Sequence, residues 1–176
     1  HLNPIRNSRR LLGQTPGTLD AWLALRGAKT LYARTVVSNA TAKQVAVFLD
    51  NHPAVTHVRY PGREPASNTV QDTLSHEFKG SVIGFELAGG SHAADCFVRA
   101  LQHIPFAATV GGTATIVSYP SRQRTRLPKE TTCSSHATGF VRISIGLESP
   151  AEILEDLTQA LNTLISRREI EPGRAR

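Results

Sequence analysis

The apolar residues of the chain fall into two rhythms that meet at Pro53. Before it the period is helical. Residues 4–13 predict a short basic helix stopped by Gly13, since glycine readily takes the left-handed conformation that ends helices. Thr15-Pro16 or Thr18 then opens a long helical stretch in which Ala21, Trp22, Leu25, Ala28 and Leu31 recur at helical spacing. A second run, Ala42, Val45, Ala46, Phe48 and Leu49, repeats the pattern and ends at Asn51-His52-Pro53.

After Pro53 strand signals alternate with helix signals. Val55–Tyr60 predicts a strand closed by the turn Pro61-Gly62, and the polar residues 66–77 predict a loop and a short helix. Val82–Leu87 alternates, with Ile83, Phe85 and Leu87 on one face and Gly89-Gly90 at its end. Ser91 is expected to cap a helix whose apolar row is Ala94, Phe97, Val98, Leu101 and Ile104. A third strand is expected near Phe106–Thr109, before Gly111-Gly112. A fourth, Phe140–Ile145, places Val141, Ile143 and Ile145 on one face and Arg142 and Ser144 on the other.

The last helix is marked at both ends. Ser149-Pro150-Ala151-Glu152 joins a serine cap, proline at the first helical position and an early glutamate. Leu154, Leu157, Leu161 and Leu164 supply the buried stripe, and Arg167-Arg168 sit near the end, where the helix dipole favours cations. The order predicts an α+β fold: a small, mostly antiparallel sheet with helices on one face, preceded by long helices.

The 176 residues suffice for one domain of ordinary size, and 40% hydrophobic content supports a packed core. No run approaches 18 apolar residues, so no transmembrane helix is expected. The first residues lack the apolar centre of a secretory signal, and the chain contains no methionine, which suggests a processed or excised piece. The net charge of +6 admits an anionic partner. Its cations are scattered, with small clusters at Arg9-Arg10, Arg122/Arg124/Arg126 and Arg167-Arg168, so nucleic-acid binding rests on charge alone. Cys96 and Cys133 form no metal-ligand spacing, which favours a reducing, cytoplasmic location.

Arg142 is the most informative charged residue. A guanidinium within an apolar strand needs an anion, and its fork suits a carboxylate; a structural salt bridge satisfies the same need. Thr109-Val110-Gly111-Gly112 follows a strand signal with a hydroxyl and two glycines, which fits either close backbone approach to a ligand or an ordinary turn. No histidine is paired with a carboxylate at metal-binding spacing, so no metal site is expected. Cys96 lies among helix-core residues, whereas Cys133 lies in the polar stretch 121–138. The long loop Tyr119–Thr138, rich in Arg, Ser and Thr, has the length of a functional or mobile loop.

Five segments in order resemble the Cys/Met-metabolism family of enzymes dependent on pyridoxal 5'-phosphate (PLP). Leu19–Leu31, DAWLALRGAKTL at its heart, resembles that family's DAWLLLRGLKTL. Val45–Pro53 with Val58–Gly62 is similar to its VAxFLxxHP…VxYPG, and Lys79–Gly90 to GFGGMLSFELKGG. Thr109–Gly112 stands where the family has SLGG, and Val141–Glu148 where it has VRLSVGLE. The likeness runs through residues 5–166.

That resemblance implies the C-terminal part of a fold-type I PLP-dependent transferase or lyase of sulfur amino-acid metabolism. The family includes transsulfuration enzymes catalysing γ-replacement and C–S cleavage. It implies a homo-oligomer, a dimer of dimers, acting on an amino-acid substrate without nucleic acid or membrane. Arg142 falls on the arginine that grips the substrate α-carboxylate, and Thr109 on the active-site serine, with Ala108 and Gly111 beside it. The catalytic residue in this chain would be Thr109. Ala108 replaces a glutamate common in members that handle cystathionine, which favours a simpler substrate side chain. Pro120–Arg126 replaces the family's PxxxTH, and Arg122, Arg124 and Arg126 there suggest an anionic substrate or leaving group.

In that family the Schiff-base lysine, the phosphate loop and the stacking aromatic all precede the segment that residues 5–31 match. None of Lys29, Lys43, Lys79 or Lys129 stands in the lysine motif. PLP supplies the electron sink and its lysine the proton transfers. The resemblance therefore implies that no residue of this chain binds the cofactor and that the chain alone is inactive. Its partner would be an N-terminal PLP-binding domain or chain. Residues 1–50 would be the helical link to that domain, 51–170 the α+β substrate-binding domain and 171–176 a frayed tail. The rival expectation is a non-catalytic remnant or interaction module with the same fold.

Overall fold

A computed structural model of the chain describes residues 2–13, 15–61, 79–119 and 139–170, the last four without their side chains. The short helix expected within 66–77, Cys133, the arginines at 122, 124 and 126, the loop after Tyr119 and the tail 171–176 lie outside the described residues. The chain divides into two compact units, His1–Arg34 and Thr35–Arg176.

The first unit holds helices α1 (Leu2–Leu12) and α2 (Thr18–Ala28) and the first turn of α3 (Leu31–Asp50). Gly13, at φ 64°, ends α1 as expected. Asp20 accepts the Gly17 N–H at 3.2 Å and so satisfies one of the free donors at the start of α2. The long helical stretch expected through Leu31 breaks at Lys29-Thr30. There Arg34 ties the corner by donating from Nη2 to the Gly27 carbonyl at 2.8 Å and from Nε to Thr30 Oγ1 at 3.2 Å. No residue of α1 or α2 is buried, and the apolar row Leu19, Trp22, Leu23 and Leu25 is exposed.

The second unit is built on a four-stranded antiparallel sheet of order β1-β2-β4-β3. Its strands are β1 (Val55–Arg59), β2 (Val82–Leu87), β3 (Ile116–Ser118) and β4 (Gly139–Ser144). Helices α4 (Gly90–Ala100) and α5 (Pro150–Ile170) complete it. One sheet face carries Ile83, Phe85, Leu87, Val117, Val141 and Ile143, all within the core. They join Ala42, Val45, Ala46 and Leu49 of α3, Ala94 and Phe97 of α4, and Leu157, Ala160 and Leu161 of α5. Phe85 and Phe97 meet edge to face at 5.7 Å and 87°, the geometry that aromatic quadrupoles favour.

Three polar ties hold the frame. Asp156, buried on α5, accepts the backbone N–H groups of Gln102, His103 and Ile104 at 2.8–2.9 Å, satisfying the chain just past α4. Asn39 Oδ1 accepts from the Lys79 and Gly80 N–H groups, and Tyr60 donates its hydroxyl to the Gly80 carbonyl. At the outer strand β1 the ladder slips between Val55 and His57, and the Thr56 hydroxyl donates to the Glu86 carbonyl instead.

Two expectations need correction. The helix after β2 begins two residues earlier than a Ser91 cap requires. Its N-cap is Gly89 in the left-handed conformation, φ 108°, with no side-chain cap. The strand expected at Phe106–Thr109 does not form. Only Phe106 bridges Val117, in parallel, and the β4 edge is taken by the unforeseen three-residue β3.

Candidate functional site

β4 delivers Arg142 to the sheet face away from the helices, as its alternation predicts. Across the ladder its neighbours are Gly84 on β2 and Ser118 on β3. The Phe140 ring leans over Gly84 so closely that a Cβ there would stand 2.8 Å from it. Arg59 lies 5.8 Å from the same ring and pairs with Glu86 at 3.0 Å, so its charge is matched. Arg142 has no such carboxylate among the described residues; its Nη2 donates only to the Thr109 carbonyl, at 3.3 Å. The guanidinium is partly exposed, and among the described residues nothing else takes its remaining donors.

The loop opposite Arg142 contains Ala108, Thr109, Val110, Gly111 and Gly112, all exposed. Gly111 adopts φ 75°, a conformation that a side chain would strain, and donates its N–H to Ser144 Oγ at 3.3 Å. The structure thus brings Arg142, Thr109 and Gly111 to one place from segments about thirty residues apart. Thr109 meets Arg142 through its backbone oxygen, which leaves its exposed hydroxyl clear of that bond.

Sequence reasoning missed the residues that tie this loop down. Thr115, buried, gives its N–H and its hydroxyl to the two oxygens of Glu148, the hydroxyl bond being 2.7 Å. The same hydroxyl accepts the Gly146 N–H at 2.8 Å. Leu147 donates to the Thr113 carbonyl at 2.9 Å. A signal was present, since Glu148 closes the segment VRISIGLE, but nothing in its spacing points to Thr115.

A cleft of about 330 Å³ lies beside that tie, lined by His103, Ile104, Thr115, Glu148, Glu152, Ile153 and Glu155. Its three carboxylates make it a poor host for an anion, in contrast to the Arg142 face. Among the described residues no group of histidine, cysteine, aspartate or glutamate is arranged to hold a metal. Cys96 packs against the core with its Sγ 3.6 Å from His92 Nε2. No described helix is long and apolar enough to cross a membrane.

Among the described residues, the Arg142 face presents no lysine that could hold a pyridoxal aldehyde. Of the described lysines, Lys29 is the C-cap of α2, Lys43 belongs to α3 and Lys79 precedes β2 beside Asn39. The loop 106–115 and strand β4 contain no lysine to hold the aldehyde.

Residues 2–162 match the family model described as Cys/Met metabolism PLP-dependent enzyme. The L-methionine gamma-lyase of Treponema denticola is 32% identical over 88% of this chain and 39% of its own length. The cystathionine gamma-lyase of Bacillus subtilis is 34% identical over 86% and 40%. The O-acetyl-L-homoserine sulfhydrylase of Leptospira meyeri is 34% identical over 88% and 36%. In structure, the cystathionine gamma synthase of Xanthomonas oryzae, solved in complex with cystathionine, superposes with a TM-score of 0.78 at 31% identity, over 89% of this chain and 41% of that one. The chain spans about 40% of the length of these relatives.

Proposed function

The chain belongs to the Cys/Met metabolism PLP-dependent enzyme family, and from that premise we propose that it supplies the substrate-carboxylate site of a PLP-dependent enzyme of sulfur amino-acid metabolism. In this reading Arg142 grips the α-carboxylate of an amino acid, while Thr109 and Gly111 present the loop that covers it. The Thr109 hydroxyl orients the substrate, and Ala108, where cystathionine-handling members often carry glutamate, leaves room for a simple side chain. The reaction class is C–S cleavage or γ-replacement.

One observation carries the proposal: a partly exposed guanidinium with no carboxylate partner among the described residues, facing an exposed glycine loop. The cofactor and its lysine would come from an N-terminal domain or chain outside residues 1–176. The bare helices α1 and α2 support such a partner. Eleven-residue helices that bury nothing are marginal in water, and their exposed Leu19, Trp22, Leu23 and Leu25 invite a covering surface. The complete enzyme would be a cytoplasmic homo-oligomer.

The test compares L-norleucine, which has no C–S bond to break, with L-norleucinamide, which lacks the carboxylate. Arg142→Lys keeps the charge but loses the fork. It should weaken norleucine binding about 10-fold or more and leave norleucinamide unchanged. Equal loss of both probes, or of neither, refutes the assignment. One rival reading is a non-catalytic module of the same fold. Borohydride reduction of the native particle followed by intact-mass measurement separates the two. A second chain or segment carrying reduced PLP supports the enzyme, and an unmodified 19.1 kDa chain alone supports the module.

A further inference from the structure

We propose that Thr115 and Glu148 are positioning residues that aim Arg142 by clamping the Thr109–Gly112 loop; the inference rests on the reading of Arg142 as the carboxylate anchor. Every residue from Ala108 to Ala114 is exposed, so no buried side chain holds this loop in place. Its two bonds to β4, Arg142 Nη2 to the Thr109 carbonyl and Gly111 N–H to Ser144 Oγ, are both 3.3 Å long and partly open to water. Such bonds hold a loop weakly. The firm attachment comes just afterwards.

At Thr115 the chain is locked at three points. Glu148 takes both donors of that one residue, N–H and hydroxyl, on its two oxygens. The hydroxyl, having given its proton to Glu148, accepts the Gly146 N–H with a free lone pair. The carboxylate therefore fixes the direction of the hydroxyl, which could otherwise rotate. The Thr113 carbonyl takes the Leu147 N–H one step earlier in the chain. All of these partners lie within six residues of Arg142, on the continuation of the strand that carries it. Loop and guanidinium thus share one support. The acidic cleft beside α5 is the open side of this clamp, since Glu148 and Thr115 both line it.

The experiment uses the full chain labelled with ¹⁵N. It follows the Arg142 Nε–H signal during titration with L-norleucine and L-norleucinamide, together with exchange of the Gly111 amide. Wild type should shift with norleucine only. Thr115→Val and Glu148→Gln should bind norleucine about 10-fold more weakly, leave any norleucinamide affinity unaltered and speed Gly111 exchange. Thr115→Ser, which keeps the hydroxyl, should restore wild-type behaviour. Thr115→Val binding norleucine like wild type overturns the clamp, as does failure of Thr115→Ser to rescue or an equal loss of both probes. A wild-type chain whose Arg142 signal ignores norleucine overturns the carboxylate reading itself, and the clamp falls with it. Arg142→Lys impaired while Thr115→Val and Glu148→Gln are normal leaves that reading standing and removes only the clamp.

Discussion

Gly146 and Thr115 touch backbone to backbone. A Cβ on Gly146 would stand 2.5 Å from the Thr115 nitrogen, the Thr113 oxygen and the Ala114 carbonyl carbon at once. None of these atoms is the movable tip of a side chain, so the strand and the loop would have to part. Gly146→Ala is expected to destabilise the fold by about 3 kcal/mol, at the upper end for overpacking. Urea unfolding midpoints at neutral pH measure this, and a midpoint equal to that of wild type would contradict the contact.

Asp156 ties part of the acid stability to one carboxylate. Burial pushes its pKa up, but the N–H groups of Gln102, Ile104 and His103 and the Gln159 amide reverse this and hold it below the usual 3.8. A carboxyl with a depressed folded pKa contributes stability above its unfolded pKa and loses it as pH falls through the folded value. Asp156→Asn should therefore cost about 2 kcal/mol at pH 7, and the gap to wild type should close below about pH 4. Denaturant titrations at pH 7, 5 and 3 follow that gap, and a constant gap would disprove the linkage.

His52 works in the opposite range. Burial lowers its pKa from 6.5, and a hydrogen bond with the Asn162 side chain only partly offsets this. Its Nδ1 accepts the Ala54 N–H at 3.2 Å, a role open to the neutral ring alone. Protonation is therefore easier in the unfolded chain, so stability is complete above pH 6.5 and falls as pH drops toward the folded pKa. The melting temperature should drop between pH 7.5 and 5.5, and His52→Gln should flatten that drop. Parallel slopes for the two proteins would show that another group titrates.

The sheet's interior was legible because alternation is local. Ile83, Phe85 and Leu87, then Val141 and Ile143, declare a buried face in a few residues, and the face of Arg142 follows. The start of α4 was misplaced because Ser91 has capping chemistry, whereas Gly89 caps by backbone conformation alone. Phe106–Thr109 has strand composition, but the open edge of β4 went to Ile116–Ser118, a run too short to signal itself. The Thr115–Glu148 clamp joins residues 33 apart in sequence, a distance over which no periodicity speaks. Trp22 and Leu25 kept the helical spacing of a core and are exposed, because spacing records that a face wants cover without saying what covers it.

The slipped ladder at β1 also decides how copies of this domain can meet. An unpaired strand is a template on which a neighbouring molecule can extend the sheet, and long flat edges seed aggregates. Here the slip between Val55 and His57 turns Thr56 back onto its own partner strand, and exposed His57 and Arg59 line what remains. The opposite edge is filled by the chain itself, since Val117 donates to the Pro105 carbonyl and accepts from the Ala107 N–H. Among the described residues, both borders are thus interrupted. Molecules crowded together during synthesis are thereby steered away from sheet-to-sheet fusion and toward contacts made by side chains, which can be selected one by one.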